Sequence, residues 1–87
     1  MLEYEIGAHA RIQMRRRDIP ESLVRGVLAD PEQRHLLRPG RELLQSRTEI
    51  AGKIYLVRII VDVDRRPAEV VTAYRTSRIG KYWRTPS

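Results

Sequence analysis

The chain has 87 residues, with 17 basic and 11 acidic side chains and a net charge of +6 at pH 7. That length suits one domain with one modest core, and no apolar run approaches the ~20 residues of a membrane-spanning helix. The chain has no cysteine and only two histidines, which argues against disulfides, thiolate metal sites and histidine-rich metal sites. The acidic start of the chain is unlike a secretory signal, so we expect a cytoplasmic protein with no membrane partner.

The first third of the chain predicts a strand followed by two helices. Residues 4–6 favour a short edge strand, and the apolar spacing of residues 8–17 is typical of a helix. Asp18 and Pro20 belong to a helix-start pattern, with Asp18 as the capping residue. A second helix is therefore expected to run to about residue 29, where an Asp-Pro pair ends it.

The chain beyond the helices predicts strands separated by turns. Turn signals divide it into strands near residues 34–37, 42–49, 54–63 and 69–75. The third of these strands has apolar residues on both faces, which indicates a central position in a sheet. Simple alternation along the last strand puts Val70 on the same face as Tyr74 and Arg75 on the other.

Together these elements predict an α+β domain over residues 1–76. Two helices are expected to pack on one face of an antiparallel meander of about four strands, preceded by the short N-terminal strand. Residues 77–87 are expected to form a basic C-terminal tail. The sequence contains no zinc spacing, phosphate-binding glycine loop, nucleophile elbow or carboxylate pair, so we expect neither a metal nor a small-molecule cofactor.

Basic and aromatic residues are concentrated near the end of the sequence. This stretch contains Arg75, Ser77, Arg78, Lys81, Tyr82, Trp83 and Arg84 and no acidic side chain. Guanidinium groups bind phosphate oxygens through paired hydrogen bonds, and aromatic rings stack on bases. The stretch therefore predicts contact with nucleic acid, although a solvated tail that maintains solubility is the simpler alternative.

A histidine and an arginine of the first predicted helix complete the candidate site. His9 titrates near neutral pH and can act as a general acid or base, while Arg17 can bind phosphate. A metal-free ribonuclease needs a proton carrier and cations at the phosphate, and these residues with the C-terminal cations would supply both. The simpler alternatives are a capping or packing role for His9 and a solvated helix face for Arg17.

Two runs of residues carry a family resemblance. The first comprises His9, Ala10, Met14, Arg17, Asp18, Ile19, Val24, Val27, Leu28 and Pro31, and the second comprises Gly52, Lys53 and residues 70–74. Over residues 9–74 they resemble the small bacterial family catalogued as DUF 4258. Residues 71–82 are also similar to the ending of BrnT-type toxins of toxin–antitoxin pairs. Both families resemble the wider RelE-like and barnase-like group of compact ribonucleases.

The resemblance implies a metal-independent endoribonuclease toxin of RelE-like architecture, with RNA as its substrate and a protein antitoxin as its partner. By position in the motifs, it implies that His9, Arg75, Ser77 and Arg78 belong to the site. On this basis His9 is expected to move the proton, Arg75 and Arg78 to hold the scissile phosphate, and an aromatic residue of the tail to stack on a base.

Two alternatives remain open at this point. One is a non-catalytic nucleic-acid-binding module that uses the same basic face. It is favoured by Gln13, where DUF 4258 proteins usually have arginine, and by Gly80, where BrnT-type toxins commonly have an acidic residue. The other is a protein-interaction domain whose arginine-rich face docks an acidic partner.

Overall fold

The computed structural model describes residues 3–84. Its elements in chain order are β1 (Tyr4–Ile6), α1 (Ala8–Arg16), α2 (Glu21–Ala29), β2 (Gln33–Arg38), β3 (Arg41–Ile50), β4 (Lys53–Asp62), β5 (Ala68–Thr76) and α3 (Ile79–Tyr82). The predicted α+β class is confirmed, because the helices pack against a single sheet. Across the described part of the chain, no helix is long and apolar enough to span a membrane.

The sheet has five strands in the order β1-β5-β4-β3-β2. Strands β2 to β5 form the expected antiparallel meander, in which each strand pairs with the next. The sheet has one strand more than the predicted four, because β1 pairs parallel with β5 and makes the sheet mixed. This pairing joins the two ends of the domain, and turn signals in the sequence report only on neighbouring strands.

Helices α1 and α2 cover one face of the sheet and form the main core with it. Helix α1 packs on β5, while α2 lies over β4 and β3. The core contains Ile6, Ala10, Met14, Ile19, Val24, Val27, Leu28, Leu44, Val57, Ile59, Val61, Val70 and Ala73. The apolar spacing of the helices and the alternation of β4 therefore point to the same interior.

A bulge in β5 changes which of its side chains share a face. Opposite β4, Ile60 pairs with Thr72 and Val61 pairs with Val70, so one extra residue of β5 lies between the two pairs. The prediction that Val70 and Tyr74 share a face, which assumed simple alternation along β5, is therefore wrong. The bulge places Val70 in the core under the helices, while Tyr74 points to the opposite face.

The junction between α1 and α2 also differs from the prediction. Asp18 has a φ of 54°, and the residue at the N-cap of α2 is Pro20, with no side-chain capping bond. The predicted capping role of Asp18 is wrong because Asp18 forms the turn that leads out of α1, two residues before the cap position. Its left-handed backbone reverses the chain, so that α2 folds back across the sheet.

Strand β2 forms one edge of the sheet. Leu36 and Leu37 of this strand are exposed, Leu36 to 67%. Single exposed apolar side chains of this kind are common at protein surfaces and add little to the core.

Candidate nucleic-acid interface

The arginines that the structure describes fall into two groups: some form an ion pair with a carboxylate, and others do not. Six ion pairs join Arg11 and Arg25 to Glu21, Arg34 to Glu42, Arg41 to Asp62, Arg47 to Glu32 and Arg65 to Glu69. No ion pair found over residues 3–84 includes Arg17, Arg58, Arg75, Arg78, Lys81 or Arg84. Five of these six cations belong to β5, to the segment after it or to its neighbour β4, and Arg17 reaches β5 from α1. Together they give this part of the surface a positive potential that attracts polyanions.

A row of polar side chains crosses the sheet on the face opposite α1 and α2. Gln45 of β3 pairs with Gln33 and with Arg58, and Arg58 pairs with Tyr74. Residues paired across strands project to the same face. We call this surface the open face and define it by Gln33, His35, Gln45, Arg58 and Tyr74.

Hydrogen bonds connect the whole row. Gln45 Nε2 donates to Gln33 Oε1 at 2.6 Å, and Arg58 Nε donates to Gln45 Oε1 at 2.9 Å. Arg58 Nη1 donates to Tyr74 Oη at 2.5 Å. Gln45 is fully buried, so these bonds hold its amide, and through it the Arg58 guanidinium, in a fixed position.

The residues that follow β5 fold back onto the open face. We call residues 77–84 the C-terminal segment, which the sequence placed within a tail and which contains α3. Gln33 Nε2 donates to the Arg84 carbonyl at 2.6 Å, and Gln33 Oε1 accepts from the Arg84 backbone N–H at 3.2 Å. Gln45 Nε2 also donates to the Tyr82 carbonyl at 3.3 Å.

Two aromatic rings of the C-terminal segment lie against arginines of the sheet. The Tyr82 ring centroid is 4.3 Å from the Arg58 Cζ, and the Trp83 ring centroid is 4.2 Å from the Arg47 Cζ. Both distances are within the range of cation–π attraction. The predicted RNA-binding aromatics therefore pack on the sheet.

Two leucines on the open face are buried although the helices cover the opposite face. Leu43 pairs with Ile60, and Leu56 pairs with Arg47 and Thr76. Leu43 is 2% exposed and Leu56 is fully buried. Since Arg47 pairs with Leu56 and holds Trp83, the register brings the C-terminal segment next to Leu56 in this second, smaller apolar layer.

His35 lies on the open face beside the polar row. Its Nε2 is 3.5 Å from Gln33 Oε1. Burial lowers the pKa of His35, and the positive charges of Arg84 and Arg58 lower it further. The lowered pKa favours the neutral imidazole, which can accept a proton.

Arg17 is the sequence-predicted cation that the structure joins to β5. Its Nη1 donates to the Ala73 carbonyl at 2.9 Å, and its Cζ is 5.9 Å from the centroid of the Tyr74 ring. The end of α1 therefore contributes a cation at the edge of β5, next to the open face.

Arg75 projects toward the helix side of the sheet. It pairs with Val57 of the core, and its Cζ is 4.9 Å from the Tyr55 ring centroid. Lys53 approaches the same ring at 5.6 Å. Arg75 and Arg58 therefore lie on opposite faces of the sheet.

Three further predicted residues lie exposed in the C-terminal segment. Ser77, Arg78 and Lys81 are all on the surface. The Arg78 backbone N–H donates to Thr76 Oγ1 at 3.1 Å, and the Lys81 Nζ lies 5.3 Å from the Tyr82 ring. The charges of Arg78 and Lys81 and the hydroxyl of Ser77 can contact a ligand that approaches from solvent.

His9 lies at the start of α1, far along the sheet from Arg75 and Arg78. The preceding Gly7 donates its N–H to the Val70 carbonyl at 3.1 Å, and five residues of strand between Val70 and Arg75 span roughly 16 Å. His9 is exposed, and within residues 3–84 no hydrogen bond or ion pair joins it to Arg75, Ser77 or Arg78. The structure thus brings Arg17, and not His9, to the cations of β5.

Models of protein families, curated proteins and solved structures contain no match to this chain. The resemblance to DUF 4258 and BrnT-type proteins therefore stays a prediction.

The sequence did not point to Arg58, Gln45 or His35 as site residues. They belong to three different strands, and nothing in a single strand shows that such residues will be neighbours. The available signal was polar: Arg58 interrupts the otherwise apolar stretch of β4. Pairing the predicted strands β3 and β4 by their turn would have brought Gln45 and Arg58 together.

Proposed function

We propose that this chain is a metal-independent endoribonuclease that binds a single RNA strand along the open face and the C-terminal segment. The observation that carries the proposal is a group of cations that have no ion-pair partner within residues 3–84 and lie on the open face, at its edge or in the C-terminal segment, next to aromatic rings: Arg17, Arg58, Arg78, Lys81 and Arg84. Single-stranded nucleic acid is bound by such combinations, in which cations follow the backbone and rings stack on bases.

Cleavage on this surface requires a group that takes the proton from a ribose 2′-hydroxyl. The 2′-oxygen then attacks phosphorus, the 5′-oxygen leaves with a proton, and the products carry a 2′,3′-cyclic phosphate and a 5′-hydroxyl. His35 fits the role of the base because its lowered pKa favours the neutral imidazole and because it shares the open face with Arg58. Cations at the phosphate stabilise the charge that develops on its oxygens.

The decisive experiment compares the two histidines. Purified protein is incubated with a labelled RNA oligonucleotide in EDTA, and the ends of the products are analysed. We expect 2′,3′-cyclic phosphate ends, a rate at least ~10²-fold lower for His35→Ala, and a rate near the wild-type value for His9→Ala. Loss of cleavage in His9→Ala alone would assign the proton transfer to His9, as expected from the sequence. Absence of cleavage by the unsubstituted protein would refute the enzyme proposal.

Non-catalytic RNA binding is the second candidate, and the position of His9 favours it. If the predicted proton carrier lies away from the cations and His35 proves inert, the surface still binds a polyanion. Affinity should then fall linearly on a log–log plot against salt, with a slope of about −0.7 per phosphate contacted. Binding without product ends characteristic of cleavage would identify this function.

We further propose that the enzyme acts as a toxin with RelE-like architecture and that a protein antitoxin neutralises it. The helices on one face of an antiparallel meander support this architecture, and the resemblance of residues 71–82 to BrnT-type toxins supports the role. Induced expression should arrest bacterial growth, and the His35→Ala variant should relieve the arrest if cleavage causes it. Arrest by both proteins at equal expression would indicate a cause other than cleavage.

A further inference from the structure

Arg58 differs from the ion-paired arginines of the sheet in the groups that hold it. Arg41, for comparison, donates to both carboxylate oxygens of Asp62 at 2.7 and 3.1 Å. Arg58 instead donates to the amide oxygen of Gln45 and to the hydroxyl of Tyr74. The groups that fix its position are neutral, so they do not compensate the positive charge of its guanidinium.

The guanidinium also keeps unused hydrogen-bonding capacity. An arginine side chain carries five N–H donors, and the two bonds to Gln45 and Tyr74 leave three without a partner in residues 3–84. The rings of Tyr74 and Tyr82 lie 5.6 and 4.3 Å from the Arg58 Cζ. Rings against the guanidinium exclude water from part of it, which strengthens its attraction for an anion.

Neighbouring positive charges also favour the binding of an anion near Arg58. Arg17 lies 5.9 Å from the Tyr74 ring, and the Arg84 backbone is bonded to Gln33 in the same row as Gln45. A half-buried arginine surrounded by further cations is costly unless an anion accompanies it. A glutamate at position 45 would supply that anion, but the side chain of Gln45 is uncharged.

From this arrangement we infer that Arg58 forms an anion site whose ligand is a phosphate group of the bound RNA strand. Gln45 and Tyr74 are positioning residues: they fix two edges of the guanidinium and aim its remaining N–H groups at the phosphate. The inference rests on the proposed function for the identity of the ligand, while the anion site itself can be measured without any cleavage.

The site can be tested by NMR with inorganic phosphate and with a six-nucleotide oligouridylate as probes. The side-chain Nε–H of each arginine gives its own resonance, and chloride at matched ionic strength is the reference. We expect both probes to shift the Arg58 resonance in a saturable way, with the oligonucleotide binding more tightly. Equal, unsaturated shifts at all exposed arginines would show only general screening and would overturn the inference.

Two substitutions of equal charge separate the site from the general potential. Arg58→Gln and Arg38→Gln each remove one positive charge, and Arg38 is exposed at the end of β2. Loss of a charge-assisted bidentate contact corresponds to a loss of affinity of about tenfold to a hundredfold. We expect that loss for Arg58→Gln and at most about a twofold loss for Arg38→Gln, and equal losses would refute a specific site.

The substitution Gln45→Glu supplies the missing carboxylate while keeping the size of the side chain. It should pair with Arg58 and reduce phosphate binding as strongly as Arg58→Gln does, in a protein whose circular dichroism spectrum shows it folded. Unchanged phosphate binding in the folded variant would refute the site. If the Gln45→Glu variant does not fold, the comparison of Arg58→Gln with Arg38→Gln still shows whether Arg58 forms a specific site.

The outcomes also distinguish this inference from the proposed function. Phosphate binding at Arg58 without RNA cleavage would support the site and contradict the enzyme proposal. Cleavage that is insensitive to Arg58→Gln would support the enzyme proposal and refute the site.

Discussion

Replacing Leu56 with alanine tests whether the open face has an apolar layer of its own. Leu56 is fully buried on the face that lacks α1 and α2, so the substitution removes three buried carbon atoms. At about 0.8 kcal/mol for each, plus a contribution from the cavity, the expected loss of stability is about 3 kcal/mol. In urea this corresponds to a midpoint lower by roughly 2 M.

Leu36→Ala is the matched control, since Leu36 is 67% exposed at the edge of the sheet. With about a third of the side chain buried, its loss should be near 0.8 kcal/mol. Both variants can be measured by urea denaturation followed by circular dichroism, with the fluorescence of Trp83 as a second probe. Equal losses in the two variants would refute the argument that Leu56 belongs to a second apolar layer on the open face.

Three further predictions concern stability. Gly26→Ala should raise the free energy of unfolding by about 0.5–1 kcal/mol, because Gly26 lies inside α2 and a Cβ there meets nothing within 4 Å; a lower melting temperature would contradict this. Arg41 lowers the pKa of Asp62, so the contribution of this ion pair to stability is complete above pH ~4 and is lost as the pH falls through the lowered pKa. In acid titrations the free energy of unfolding should therefore decline less steeply for Asp62→Asn than for the unsubstituted protein. The lowered pKa of His35 means that the unfolded chain binds a proton more readily than the folded protein does, so stability should fall as the pH drops below ~6.5 and should fall less in His35→Gln.

Local patterns in the sequence were enough to predict the succession of elements. Turn residues and alternation located strands β2 to β5, and the bounds of α1 are within one residue of the prediction. These signals act over a few residues and reflect backbone preferences that tertiary contacts reinforce. The parallel pairing of β1 and the bulge in β5 depend on partners distant in sequence, so local patterns could not predict them.

The candidate site was predicted in composition more than in arrangement. The cations of residues 75–84 are concentrated in the sequence, but in the structure the sheet separates Arg75 from the open face. Arg58 was overlooked because its importance depends on Gln45 and Tyr74, which reach it only through the register of three strands. A site assembled across a sheet becomes visible once strand pairing is known.

The docking of the C-terminal segment affects how this protein can be handled. Arg84 is bonded to Gln33 through both its backbone N–H and its carbonyl, so a peptide fused directly to Arg84 would begin beside the polar row. Such a fusion would crowd the proposed RNA path and pull on α3. An affinity tag or fluorescent reporter is better attached before β1, which lies at the opposite edge of the sheet. Loss of RNA binding in a C-terminal fusion would therefore reflect the placement of the tag and would not count against Arg58.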